Sequence, residues 1–170
     1  MRVAKRRKRQ RKTDYKARIE LLKSEAPRIA IRKTNRYIII QYIISKEAKD
    51  KTLIYANSRE LLKLGWLKEW KNSLKSIPAS YLTGFLAGKK ILNKEKQIAG
   101  EKQPILDFGL QREIKGSRIY ATVKGLIDAG VKIKIDEKIF PKQERLKGMH
   151  MKKDVEKILN EIKNKIEKEI

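Results

Sequence analysis

Pro27–Ser45 reads PRIAIRKTNRYIIIQYIIS. Ile29 and Ile31 alternate with Ala30 and Arg32, the period-two pattern of a half-buried strand. Tyr37–Ile44 is rich in β-branched and aromatic residues, which suit a pleated surface, and it is apolar on both faces. The two runs predict antiparallel strands joined by the polar turn Lys33–Thr34–Asn35–Arg36. The second strand is expected to be central, with both faces covered. A third strand is expected at Thr52–Ser58, TLIYANS.

Helices are expected around this sheet. Ser58–Trp70 starts as a helix and breaks near Gly65, with Trp66 and Trp70 packing locally or, as the alternative, stacking on a base. Ser76–Lys94 reads as a helix with Pro78 in its first turn, where a missing N–H costs nothing. Leu82, Phe85, Leu86 and Ile91 are set to cover a sheet. Gly84 and Gly88, with Ala79 and Ala87, suit a backbone approached closely by a strand or an RNA. Pro104–Leu110 predicts a short buried strand. Gly116–Gly130 predicts a helix capped by Ser117, with Ile119, Tyr120, Val123, Leu126 and Ile127 on its apolar face and Gly130 at its end. A last helix over Met151–Ile170 has Val155, Ile158, Leu159, Ile162 and Ile166 on one face. Its polar face mixes Lys and Glu evenly, as in a packing or partner helix. The fold class is therefore α/β in the broad sense: a small α+β layer of sheet with helices packed on it.

The charge is concentrated at the N-terminus. Arg2, Lys5, Arg6, Arg7, Lys8, Arg9, Arg11 and Lys12 fall in the first twelve residues with no acid among them. Such an arm repels itself and gains order from a polyanion. Thr13 is placed to cap a following helix with Tyr15, Ile19 and Leu22 on one face, which Pro27 ends. The net charge is +24 in 170 residues, and residues 151–170 carry only +1 of it, so the body is basic too. The expected organisation is an arm (1–12), a folded body (13–150) and a terminal amphipathic helix (151–170).

Several chemistries have no support. Cys is absent, which excludes disulfides and thiolate metal sites. A chain of this size buries roughly 70% of its unfolded surface and needs neither to hold a core. No apolar run has the length of a membrane span or follows the basic N-terminus as in a signal peptide. The single His is His150, and neither phosphate-cradling glycine motif occurs. No cofactor is expected. Asp107, in ILDFG, is the one carboxylate a metal-dependent nuclease could use, but two-metal chemistry needs several converging acids. A strand-end Asp bonding a nearby loop is the simpler reading.

The cations gather in three places. The arm can lie along phosphates. Arg28, Arg32, Lys33, Asn35 and Arg36 cluster on the hairpin beside Tyr37, and Arg18 sits on the first helix. Lys115, Ser117 and Arg118 lie where a loop enters a helix, whose free N–H groups favour a phosphate. Tyr15 and Tyr37 are placed to stack on unpaired bases. RNA is the expected partner, with a salt-sensitive affinity.

KTDYKARIELLKS, PRIAIRKTNRYI, PASYLTGFLAGKK, LDFGLQ with KGSRIYATVKGLIDAG, and IFPKQERLKGMH occur in this order. Together they resemble the archaeal and eukaryotic type of the large-subunit ribosomal protein eighteen family, from about Lys12 to about His150. The resemblance implies an α/β sandwich of ribonuclease H-like shape without catalysis. It implies binding to 5S rRNA through the N-terminal region and first hairpin. It also implies a cytoplasmic, ribosomal place in the central protuberance, near 23S rRNA and the ribosomal protein five family. By motif, Lys12, Tyr15, Arg18, Arg28, Arg32, Lys33, Asn35, Arg36, Lys115, Ser117 and Arg118 join the RNA-facing set.

Overall fold

The computed structural model describes residues 5–47, 49–66, 74–95, 103–149, 151 and 155–169. Arg2, Trp70 and His150 lie outside the described residues, and so do 96–102.

The alternation around Ile29 and Tyr42 becomes a hairpin. Strand β1 (Arg28–Lys33) runs antiparallel to β2 (Ile38–Lys46), with Ile29 opposite Tyr42 and Lys33 opposite Ile38. Thr34 closes the turn: its hydroxyl accepts the Tyr37 N–H at 2.9 Å. β3 (Lys49–Asn57) pairs with β2 and begins three residues before the expected Thr52. β4 (Ile105–Asp107) lies parallel to β1, giving the order β3-β2-β1-β4. β4 is shorter than Pro104–Leu110 and only half-buried, because it is an edge strand. Since β1 and β4 run the same way, the hairpin turn after Lys33 and the loop after Asp107 emerge at one end of the sheet.

One face of the sheet forms a core. Ile29, Ile31, Ile38, Ile40 and Ala56 are almost fully excluded from water. They pack against Ala87 and Ile91 of α4 (Ile77–Glu95) and Ile119, Val123 and Leu126 of α5 (Arg118–Asp128). Each of the isoleucine, leucine and valine side chains contributes about 1.5–3 kcal/mol of burial. Among the described residues the opposite face meets only the arm and helix α2 (Tyr15–Lys23), across an open groove, so Ile39, Gln41 and Ile43 stay half-buried. The expectation that β2 is covered on both sides therefore holds fully only for the helix side.

Three of the four residues expected to cover the sheet do something else. Leu82, Phe85 and Leu86 turn toward a second core built by Leu61, Leu64 and Trp66 and by the terminal helix α7 (Val155–Glu169), which follows the one-turn helix α6 (Gln143–Leu146). α4 is apolar around most of its circumference and serves two cores at once. Trp66, 1% exposed, is buried in this second core and has no face for a base. The segment before it is a 3-10 turn (Ser58–Glu60) leading into α3 (Leu61–Leu64), ended by Gly65 at φ 112°. Lys165 of α7 donates to the carbonyl of Leu64 at 3.3 Å, over that helix end. The glycines of α4 meet a helix, not a strand or an RNA. A methyl on Gly84 would strike the carbonyl oxygen of Thr122, and one on Gly125 that of Tyr81, so the backbones of α4 and α5 touch.

Two capping expectations change. Helix α2 (Tyr15–Lys23) is capped by Asp14, whose carboxylate accepts the N–H groups of Lys16 and Ala17, because the helix begins at Tyr15 and leaves Thr13 one residue outside the N-cap, where it accepts from Arg7. Ser117 stands at the N-cap position of α5 but its hydroxyl makes no capping bond.

Candidate nucleic-acid interface

The arm folds back on itself. Arg6–Arg9 form a single helical turn, α1, and Arg11 takes a left-handed φ of 50° that reverses the chain. Arg7 donates through Nε to Thr13 Oγ1 at 2.8 Å, and Lys5 Nζ lies 5.0 Å from the centre of the Tyr15 ring. That cation–π contact is worth about 0.5–1 kcal/mol at an exposed site. Lys5, Arg6, Arg7, Lys8, Arg9, Arg11 and Lys12 are all exposed.

α2 buries no residue. It is tied to the sheet by charge. Arg18 reaches Asp50 Oδ2 at 3.1 Å, and the same carboxylate accepts Arg28 through Oδ1 at 2.7 Å. Ser45 donates its hydroxyl to Oδ1 at 2.6 Å and accepts a second Arg28 bond at 2.9 Å. Burial raises the Asp50 carboxyl, but the Ser45 hydroxyl, Arg28 and Arg18 outweigh it and hold it below its ordinary value. Arg28 is 4% exposed, so its guanidinium is used within the chain.

Arg32 is used the same way. Its guanidinium donates to Asp107 Oδ2 at 2.9 Å and to the Asp107 carbonyl, and Gly109 lies against its plane. Asp107 Oδ1 accepts the Gly109 N–H at 2.8 Å. Both carboxylate oxygens are thus engaged, which is the strand-end role expected for this residue. Among the described residues no cluster of three His, Cys, Asp or Glu could hold a metal ion.

The open sheet face, the arm with α2, and the loop after Asp107 enclose a groove of about 820 Å³. Five cationic and five carboxylate side chains line it. The groove is therefore close to neutral, and the exposed cations Lys5, Arg6, Lys8, Arg9 and Arg11 of the arm stand outside its lining. Lys33, Asn35 and Arg36 are exposed at the hairpin tip, with Tyr37 half-buried beneath them against the second core. Gln111 donates to the carbonyl of Lys33 at 3.1 Å and pins the loop to that tip. The loop continues through exposed Lys115 to half-buried Ser117 and Arg118 at the start of α5. The structure therefore brings hairpin tip and loop to one end of the sheet, with Arg28 and Arg32 paired beneath. Asp50 and Gln111 are the organising residues that the sequence did not mark. One of two acids among the lysines of 46–51 is the only trace of the first, and nothing signals the second.

The first 104 residues match the family model described as ribosomal large subunit proteins 60S L5 and 50S L18. The chain belongs to this family. Relatives agree over more of its length. It is 44% identical to large ribosomal subunit protein uL18 of Korarchaeum cryptofilum over 156 residues, covering 92% of this chain and 75% of that one. It is 42% identical to uL18 of Methanoregula boonei, covering 95% and 88%. uL18 of Methanoculleus marisnigri is 44% identical, with 86% and 78% covered. The family is one of structural proteins of the large ribosomal subunit, and the exposed cations of arm and hairpin tip fit that setting. No helix among the described residues is long and apolar enough to cross a membrane.

Proposed function

We propose that this chain anchors 5S rRNA within the central protuberance of the large ribosomal subunit. Arg2 and Lys5–Lys12 of the arm track phosphates on one side. Lys33, Asn35 and Arg36 at the hairpin tip, with Lys115, Ser117 and Arg118 at the entrance to α5, hold the backbone at the end of the sheet. Arg18, Arg28 and Arg32 fix the scaffold beneath them. Tyr15 and Tyr37 flank these cations. The further partners are 23S rRNA and the neighbouring ribosomal protein five family, in a cytoplasmic ribosome. The arm (1–12), body (13–150) and terminal helix (151–170) act as separate functional regions, and the chain is no enzyme.

One observation carries this reading. Exposed cations from two distant parts of the sequence meet at one end of the sheet, while the arginines behind them are already neutralised by Asp50 and Asp107. Cations without carboxylate partners at a helix N-terminus and a turn suit phosphates, whose counterions they displace. The nuclease alternative rests on Asp107, which is held by Arg32 and Gly109.

The test is native purification followed by sizing of the bound nucleic acid. A single species of 5S length is expected. Recovery of the protein free of RNA, or with RNA of random size, contradicts the reading. Metal-dependent RNA cleavage abolished by Asp107→Asn would restore the nuclease.

A further inference from the structure

The segment after α5 carries a second row of cations outside the set above. Burial alternates along it, with Val131, Ile133 and Ile135 turned inward and Lys132, Lys134 and Asp136 outward. The three apolar residues pack against the sheet-side core. This is the alternation of an extended chain, although no ladder is formed. It returns the backbone to the loop: the Gly116 N–H donates to the Ile139 carbonyl at 2.8 Å, and Pro141 packs next to Gly116. Lys115, Lys138 and Lys142 therefore gather around that junction.

Lys132, Lys134, Lys138, Lys142 and Arg145 are exposed, and none has an ion pair among the described residues. The acids nearby do not neutralise them. Asp136 is taken up by capping the 3-10 turn Glu137–Ile139, where it accepts the Lys138 N–H at 3.0 Å. Glu137 and Glu144 point into solvent. Outward residues two apart on an extended chain stand about 6.6 Å apart, a separation of the same order as successive phosphates on one strand.

We propose that residues 132–145 form a second RNA-backbone contact surface, which takes a strand other than the one held by the arm and hairpin tip. The proposal rests on the RNA-binding reading above. The arm lies on the open sheet face, whereas this segment packs on the helix-covered core. The segment joins the 115–118 loop through Gly116 and Ile139, so the two surfaces adjoin there and the protein is built to sit between two RNA segments.

The experiment measures binding of the full chain to 5S rRNA and to deproteinised large-subunit rRNA over a series of salt concentrations. Wild type is compared with K132A/K134A/K138A and with the control K63A/K157A/K168A, which removes three exposed lysines elsewhere. For the first variant the salt slope on large-subunit rRNA is expected to fall by about 2–3, with 5S affinity within about twofold of wild type. The control stays at the wild-type slope. Equal behaviour of the two variants overturns the proposal, leaving the row solvated or facing an acidic protein. A matching loss on 5S rRNA also overturns it, because the row would then belong to the first surface. Failure of wild type to bind either RNA sinks the RNA-binding reading itself.

Discussion

The guanidinium of Arg28, 4% exposed, lies 2.7 Å from the carboxylate of Asp50, which also receives Arg18 from α2. One acid thus holds the hairpin to the helix that carries the arm. Removing it leaves a buried cation unpaired. Because the Asp50 side chain is itself 31% exposed, the cost falls between those of exposed and buried pairs, about 2 kcal/mol. Asp50→Ala is expected to lower the denaturant midpoint accordingly. The folded carboxyl lies below its ordinary value. Its contribution is therefore complete above the unfolded value, about 3.9, and is lost as pH falls through the lower folded value. Wild type loses this stability in that acid range, and the variant, lacking the group, shows a flatter profile there. Denaturation midpoints between neutral pH and pH 2 read both effects.

Gly84 faces the backbone of α5 at Thr122. Gly84→Ala improves intrinsic helix propensity by about 1 kcal/mol but forces the two helices apart. Overpacking of this kind costs about 1–3 kcal/mol, and here the obstacle is backbone, which cannot rotate aside. A net loss of thermal stability is expected, read by calorimetry.

Ile162 of α7 is 1% exposed in the second core. Ile162→Ala is expected to cost about 2–5 kcal/mol. A variant with wild-type stability would mean that α7 does not dock on α3 and α4 in solution.

Lys33 and Arg36 are exposed at the hairpin tip. K33A/R36A is expected to leave the melting temperature unchanged and to reduce the salt slope of 5S rRNA binding by about 2. Titrations at several salt concentrations, beside a melting curve, separate binding from folding.

The sheet was legible in the sequence because its signal is local. The alternation around Ile29 and the β-branched run to Ile44 fix strands and turn within twenty residues. α5 was equally clear, since Gly130 and one apolar face define it. What depended on distant partners was not legible. Leu82, Phe85 and Leu86 look like sheet-covering residues until α7 supplies a second core from the far end of the chain. Thr13 and Asp14 are both good caps by residue type, and only the helix start at Tyr15 puts Asp14 at the N-cap. At the interface, Lys33, Asn35 and Arg36 stand exposed as a turn requires. Arg28 and Arg32 read as equally cationic, and only the fold reveals that Asp50 and Asp107 neutralise them. The closing of loop onto hairpin by Gln111 spans 78 residues and leaves no pattern.

Contact between the basic arm and ribosomal RNA phosphates is read by titrating 5S rRNA with the full chain and with residues 13–170 at salt concentrations from 50 to 200 mM, about the range over which such contacts are lost. Deleting eight cations is predicted to weaken binding at low salt and to lower the slope by roughly 4–7. An unchanged slope, with both chains equally tight, would contradict the account.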